Sequence, residues 1–180
     1  MTFYHIFYLN QCILTTNMIK FIVGDVMIVL LKKLNCDNDI EIFGKYKVEL
    51  IKFHQQYAQK LGLFDNVVDN YNYDDAIRHI DEKGYFQFLI QVENEIVGII
   101  EYQITNSDID KKKILYIKDF YIDDNFRGKG IGKEVMKLLK ELNYRIELEC
   151  WYEMPANNLY KSLGMREIKT RYMMDYHNTR

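Results

Sequence analysis

The chain has 180 residues, 48% of them hydrophobic and 28% charged, with 15 tyrosines, 10 phenylalanines and one proline. That length suits a single domain with a real core, and the aromatic content excludes disorder over most of it. With 24 basic against 26 acidic residues the formal charge is −2, which removes any bulk electrostatic drive toward nucleic acid or an anionic membrane.

The first segment, residues 1–26, is apolar but interrupted by His5, Asn10, Gln11, Asn17, Lys20 and Asp25. No apolar run approaches the ~18–20 residues of a spanning helix, and no basic start with a small-residue cleavage site is visible. The expectation is a peripheral extension over 1–26, followed by one domain over 27–180. Met27–Leu31 reads as a strand. Ile40, Phe43, Tyr46, Leu50, Phe53, Tyr57 and Leu61 step by three or four and predict one helix face, ended by Gly62. A shorter helix is predicted over 74–83, closed by Gly84.

The pattern then changes. Segments 85–92, 96–104 and 114–122 are rich in β-branched and aromatic residues and are separated by turn chemistry, so they predict an antiparallel meander. Lys111–Lys113 reads as a solvated hairpin tip. Ile131, Val135, Leu138, Leu139 and Leu142 form a helical stripe. A strand over 145–151, a short helix over Ala156–Leu163 ended by Gly164, and a last strand near 167–174 complete the order β-α-α-β-β-β-α-β-α-β. The predicted fold class is mixed α+β, one central, mostly antiparallel sheet with helices on both faces.

Cys12, Cys36 and Cys150 are widely spaced, without a CxxC, and His5, His54, His79 and His177 are scattered. That spacing suits a reduced, cytoplasmic setting and no metal site. The densest signal is R-G-K-G-I-G-K, residues 127–133, between a strand and a helix. Helix N-termini expose unpaired amides and about half a positive charge, which together favour an anion, phosphate above all. Glycines allow close backbone approach, and Arg127, Lys129 and Lys133 add charge. The spacing fits neither a P-loop, because Glu134 stands where Ser or Thr is needed, nor a dinucleotide fingerprint, whose third glycine would fall at Lys133.

What does fit is R-x-x-G-x-G at Arg127, Gly130 and Gly132. With the strand before it, the amphipathic helix after it, and A-N-N-L-Y-K-S-L-G-M over 156–165, it resembles motifs A and B of the GNAT superfamily of acyl-CoA-dependent N-acyltransferases. The resemblance covers about residues 85–172 and extends over 27–84 by element order alone. It implies acetyl-CoA as cosubstrate, with its diphosphate on Arg127, Gly128, Lys129, Gly130, Ile131, Gly132 and Lys133. The pantetheine arm would follow Tyr121 and Ile122 into a V between strands 114–122 and 145–151. It also implies direct acetyl transfer to a primary amine of a small molecule or peptide, with Tyr160 as general acid to the thiolate and Asp119 or Glu101 as the base. Glu153 departs from the family's frequent asparagine, a role that Asn157 or Asn158 would then take. A non-catalytic acyl-CoA-binding module on the same fold stands as the alternative. Partners are acetyl-CoA and an amine, with no nucleic acid or membrane, and a homodimer stays open.

Overall fold

The computed structural model describes residues 27–62, Ile77, Glu82 and 84–169. Among the described residues five strands form one sheet in the order β1-β2-β3-β4-β5: Val29–Lys33, Tyr85–Val92, Glu95–Asn106, Lys113–Ile122 and Arg145–Leu148. The first four are antiparallel neighbours, and β5 joins β4 in parallel. Helix α1 spans Asp37–Lys60, α2 Ile131–Lys140 and α3 Ala156–Ser162. The meander and the first long helix thus stand where the sequence places them. The helix predicted over 74–83 and the last strand over 167–174 fall mostly outside the described residues, as does the 1–26 segment. No helix among the described residues is long and apolar enough to cross a membrane.

The two faces of the sheet are covered differently. On one side Phe88, Ile90, Ile100, Tyr102, Leu115 and Ile117 meet Val135, Leu138 and Leu139 of α2 in the larger core. On the other, Leu89 and Ile99 meet Phe43 of α1. Residues of one strand alternate between these faces, as a pleated strand requires.

Strand β4 breaks that alternation once. Glu101 pairs with Asp119 but Tyr102 pairs with Ile117, so Lys118 is an extra residue in the ladder. An unbulged β4 would carry Asp119 to the same face as Leu115 and Ile117, into the α2-side core. The bulge reverses the parity. Phe120 and Ile122 pack on the α2 side, and Tyr121 packs with the α1 side. Asp119 faces α1, opposite Glu101.

Helix α1 crosses its face diagonally. Near its start Asp39 accepts from Lys32 of β1 at 2.6 Å. In its middle Tyr46 donates to the Ile96 carbonyl of β3 at 2.9 Å. Near its end Tyr57 donates to the Glu153 carbonyl, beyond β5. The line Phe43, Lys47, Leu50, His54 and Ala58 runs down its sheet side: Phe43, Lys47, Leu50 and Ala58 are buried and His54 is half-buried. The purely apolar stripe read from the sequence is rotated to admit Lys47 and His54.

Candidate active site

Strand β4 ends at Ile122, and the Asp123 carboxylate caps the 3-10 turn Asp124–Phe126 by accepting from the Asn125 amide at 2.9 Å. The chain then turns through Arg127 and Gly128 into α2. Gly128 and Gly130 have φ of 75° and 85°, in the left-handed region where a side chain is strained. No atom lies within 4 Å of where a Cβ would stand on either, so the space in front of them is open. Gly132 is glycine for another reason: a Cβ there would lie 2.9 Å from Leu159 Cδ2 of α3. Among the described residues, the amides of residues 128–132 donate to no backbone carbonyl. Five amides without a backbone acceptor are thus gathered at the positive end of α2, with open space in front of Gly128 and Gly130.

The loop's cations divide. Lys133 and Lys129 are exposed, with the Lys129 ammonium 4.9 Å from the centre of the Phe126 ring. Arg127 turns back instead. Its Nε donates to the Ile122 carbonyl at 2.8 Å and its Nη1 lies 2.6 Å from Asp124. Its guanidinium sits between the rings of Phe53 and Tyr121, at 4.7 and 5.1 Å. The side chain ties the loop to α1, a placement its position in the motif does not reveal.

Parallel pairing of β4 with β5 covers Ile114–Ile117 against Arg145–Leu148 and then stops. From Lys118 to Ile122, β4 continues without β5, so the strands part beside the glycine loop. The strand predicted to reach Trp151 ends at Leu148. Beyond it Glu153 takes φ 60°, and the Asn157 amide donates to the Trp151 carbonyl at 2.9 Å, which fixes that side chain within the loop. Tyr160, on α3, is half-buried; burial, with Cys150 nearby, pushes its phenol well above the usual value. It is a protonated donor at neutral pH. Burial also raises the Cys150 thiol, which keeps it un-ionised.

A charged cluster lies under α1 where the strands begin to part. Lys47 Nζ is 2.7 Å from Glu101 and 3.1 Å from Asp119. Gln87 donates to the same Glu101 oxygen at 2.8 Å. Glu101 is 1% exposed and Lys47 8%, whereas Asp119 keeps 21%. Burial opposes the Lys47 charge, but Asp119 and Glu101 outweigh it and hold the ammonium above its ordinary value. His54 lies two turns beyond Lys47. Burial lowers its proton affinity, and the Asp119 charge works the other way. The two carboxylates expected from the sequence are thus brought face to face. Lys47, Gln87 and His54 are additions. Their signal was available, since Lys47 and His54 fall at i+4 and i+11 from buried Phe43, where a helix on a sheet ordinarily carries apolar side chains.

Residues 49–165 match the family model described as "Acetyltransferase (GNAT) family", which is more than half of the chain. The chain belongs to the GNAT acetyltransferase family. It is 30% identical over 116 residues to an N-alpha-acetyltransferase of Sulfurisphaera tokodaii, covering 56% of this chain and 68% of that one. It is 31% identical over 61 residues to a thialysine N-epsilon-acetyltransferase of Sus scrofa, 30% of this chain and 35% of that protein, so it spans about a third of that relative. The fold is that of a mutant BH1408 protein from Bacillus halodurans, with TM-score 0.66 and 19% identity, covering 83% of this chain and 99% of the other. This GNAT protein is accordingly an acyltransferase enzyme.

Proposed function

We propose that this enzyme transfers the acetyl group of acetyl-CoA to a primary amine of a small molecule or peptide. The observation that carries the reading is the set of five amides at residues 128–132 without a backbone acceptor, with open space before Gly128 and Gly130, beside the point where β4 and β5 part. The fit to a diphosphate is chemical: donors only, no carboxylate among them, the positive end of a helix, and exposed Lys129 and Lys133. The names of the two relatives described above refer to acetylation at nitrogen, which supports an amine acceptor.

Acetyl-CoA would supply an activated thioester carbonyl. The residues present then have separate tasks. From Lys118 to Ile122 the edge of β4 has no strand partner on its β5 side, and the Ile122 carbonyl there is held by Arg127, so Tyr121 and Ile122 would guide an extended chain. Tyr160 holds a proton at neutral pH for the departing thiolate. Holding both reactants in line can contribute ~7–11 kcal/mol of barrier reduction in well-oriented cases. Arg127 would act by fixing the loop to α1 rather than by direct salt-bridging.

Release of thiol from acetyl-CoA against a panel of amines tests the reading. Gly130→Trp strains a left-handed position and fills the space before the amides, so calorimetry should show loss of CoA binding while the fold persists. CoA binding equal to the parent's defeats the loop assignment. Tyr160→Phe should reduce kcat by about 10²-fold or more and leave CoA affinity nearly unchanged. Equal kcat removes Tyr160 from the mechanism.

A further inference from the structure

An alkylammonium has a pKa near ~10.4 and must lose a proton before nitrogen can attack. A carboxylate near ~4 is a poor match for that proton; an imidazole near ~6 narrows the gap by about two units. Of the two carboxylates in the cluster, Glu101 is least able to serve. It is 1% exposed, and its Oε2 already accepts from both Lys47 and Gln87. Asp119 is more open but is held by Lys47 at 3.1 Å.

His54 has what both lack. It lies on the sheet side of α1, in line with Lys47 and between buried Leu50 and Ala58. The neighbours on either side of it in sequence fix where that part of α1 stands. Phe53 packs on Arg127 at the end of β4, and Tyr57 donates to the Glu153 carbonyl beyond β5. This stretch of α1 therefore runs from the loop after β4 to the chain beyond β5, across the gap that opens after Ile117 and Leu148, with His54 on its sheet side.

Resting on the acetyl-transfer reading above, we propose that His54 is the group that takes the proton from the acceptor amine, with Asp119 holding the imidazolium and Lys47 holding Asp119. Burial keeps the free imidazole neutral at pH 7, and Asp119 favours the cation once the proton arrives, the two opposing requirements of a base that must also be protonated in turn. Asp119 on β4 is the charge that acts on it, and Lys47, two turns earlier on α1, pairs with that Asp119 and with Glu101 on β3. Arg127 packs on the neighbouring Phe53, and the Glu153 carbonyl accepts from Tyr57. Lys47 offsets one of the two carboxylates, so the cluster keeps one negative charge for the imidazolium. The step balances. The ammonium gives one proton to His54, the neutral nitrogen forms the C–N bond, the C–S bond breaks, and Tyr160 protonates the thiolate. The second amine proton restores Tyr160 through solvent, and half-buried His54 releases its own to water.

Turnover by the unaltered protein tests the acetyl-transfer reading; two further measurements test His54. In kcat/KM against pH at saturating acetyl-CoA, the parent should show an acid limb below pH ~6.5, because the imidazole's proton affinity is lowered from its usual value. His54→Ala should lose that limb and about 10²-fold or more in rate, keep CoA binding and recover rate with added imidazole but not with equal salt. A retained limb with full rate, or no recovery in a folded variant, overturns the assignment. Without any substrate, the His54 ring resonance should titrate at lower pH in Asp119→Asn than in the parent. An unchanged midpoint severs His54 from Asp119 and overturns the pair, whatever the enzyme acetylates.

Discussion

The two faces of this sheet meet their helices on different terms. Under α2 the contact is apolar throughout, from Phe88 and Ile90 to Leu115 and Ile117, closed by Val135, Leu138 and Leu139. Under α1 an apolar patch of Phe43, Leu89 and Ile99 gives way to a buried ammonium between two carboxylates. The first arrangement tolerates no water and needs none. The second is held by charge, and buried charge is stable only while every member is present. One face is a core throughout; the other is a core at one end and a buried charge cluster at the other. The Lys118 bulge separates them, because it aims Asp119 at α1 while Phe120 stays with α2.

The largest test of that difference removes the ammonium. Lys47→Met leaves Glu101 buried with only Gln87 as donor, and should reduce stability by ~3–5 kcal/mol in chemical denaturation. Adding Glu101→Leu to the same chain should restore most of the loss, since an apolar pair of similar volume is often neutral. On the α2 side no such rescue exists, because a second truncation only adds a second cavity. If the double variant is no more stable than Lys47→Met, the cluster is not the closed unit described.

A smaller effect is expected where neither face decides. At Gly98, opposite Ile122, a Cβ would stand 2.1 Å from the Tyr121 carbonyl oxygen, which is backbone and cannot swing away. Gly98→Ala should therefore push β3 from β4 at the end of β4, within the stretch that runs on without β5. A loss of ~1–3 kcal/mol is expected, in the range of overpacked cores. Hydrogen exchange should rise locally in residues 119–122 and not in β2. Unchanged exchange there would mean that the close approach relaxes without disturbing β4.

These cases show what sequence could and could not carry. The α2 face was readable because its residues repeat: alternation along β2–β4 and the stripe at Ile131, Val135, Leu138 and Leu139 each state which side is buried. Gly128 and Gly130 were readable because few residues accept φ near 80°. The α1 face was readable in part: Phe43 and Leu50 stand in its stripe, Lys47 and His54 interrupt it, and Glu101 and Asp119 stand out as carboxylates on strands, but Gln87 looks like an exposed polar residue and only the strand pairing brings the cluster to one point. Asp119 needed a bulge that leaves no mark in composition. Arg127 reads by charge as an anion ligand, and its packing on aromatic rings of α1 and β4 has no counterpart in the motif's spacing.

The smallest predicted change concerns Glu153, where the family's frequent asparagine is replaced. Its φ of 60° is a conformation that asparagine adopts far more readily than glutamate, because the short amide bonds its own backbone. Glu153→Asn should therefore raise stability by up to ~1 kcal/mol. The carbonyl that receives the Tyr57 hydroxyl is backbone, so the bridge from α1 survives the exchange. An unchanged melting temperature would show that glutamate rests in this bend unstrained. CoA affinity separates two roles for the position. If asparagine serves only the turn, affinity stays as it is while stability rises; if its amide also meets the pantetheine arm, with donor and acceptor where glutamate has acceptors alone, affinity rises with it.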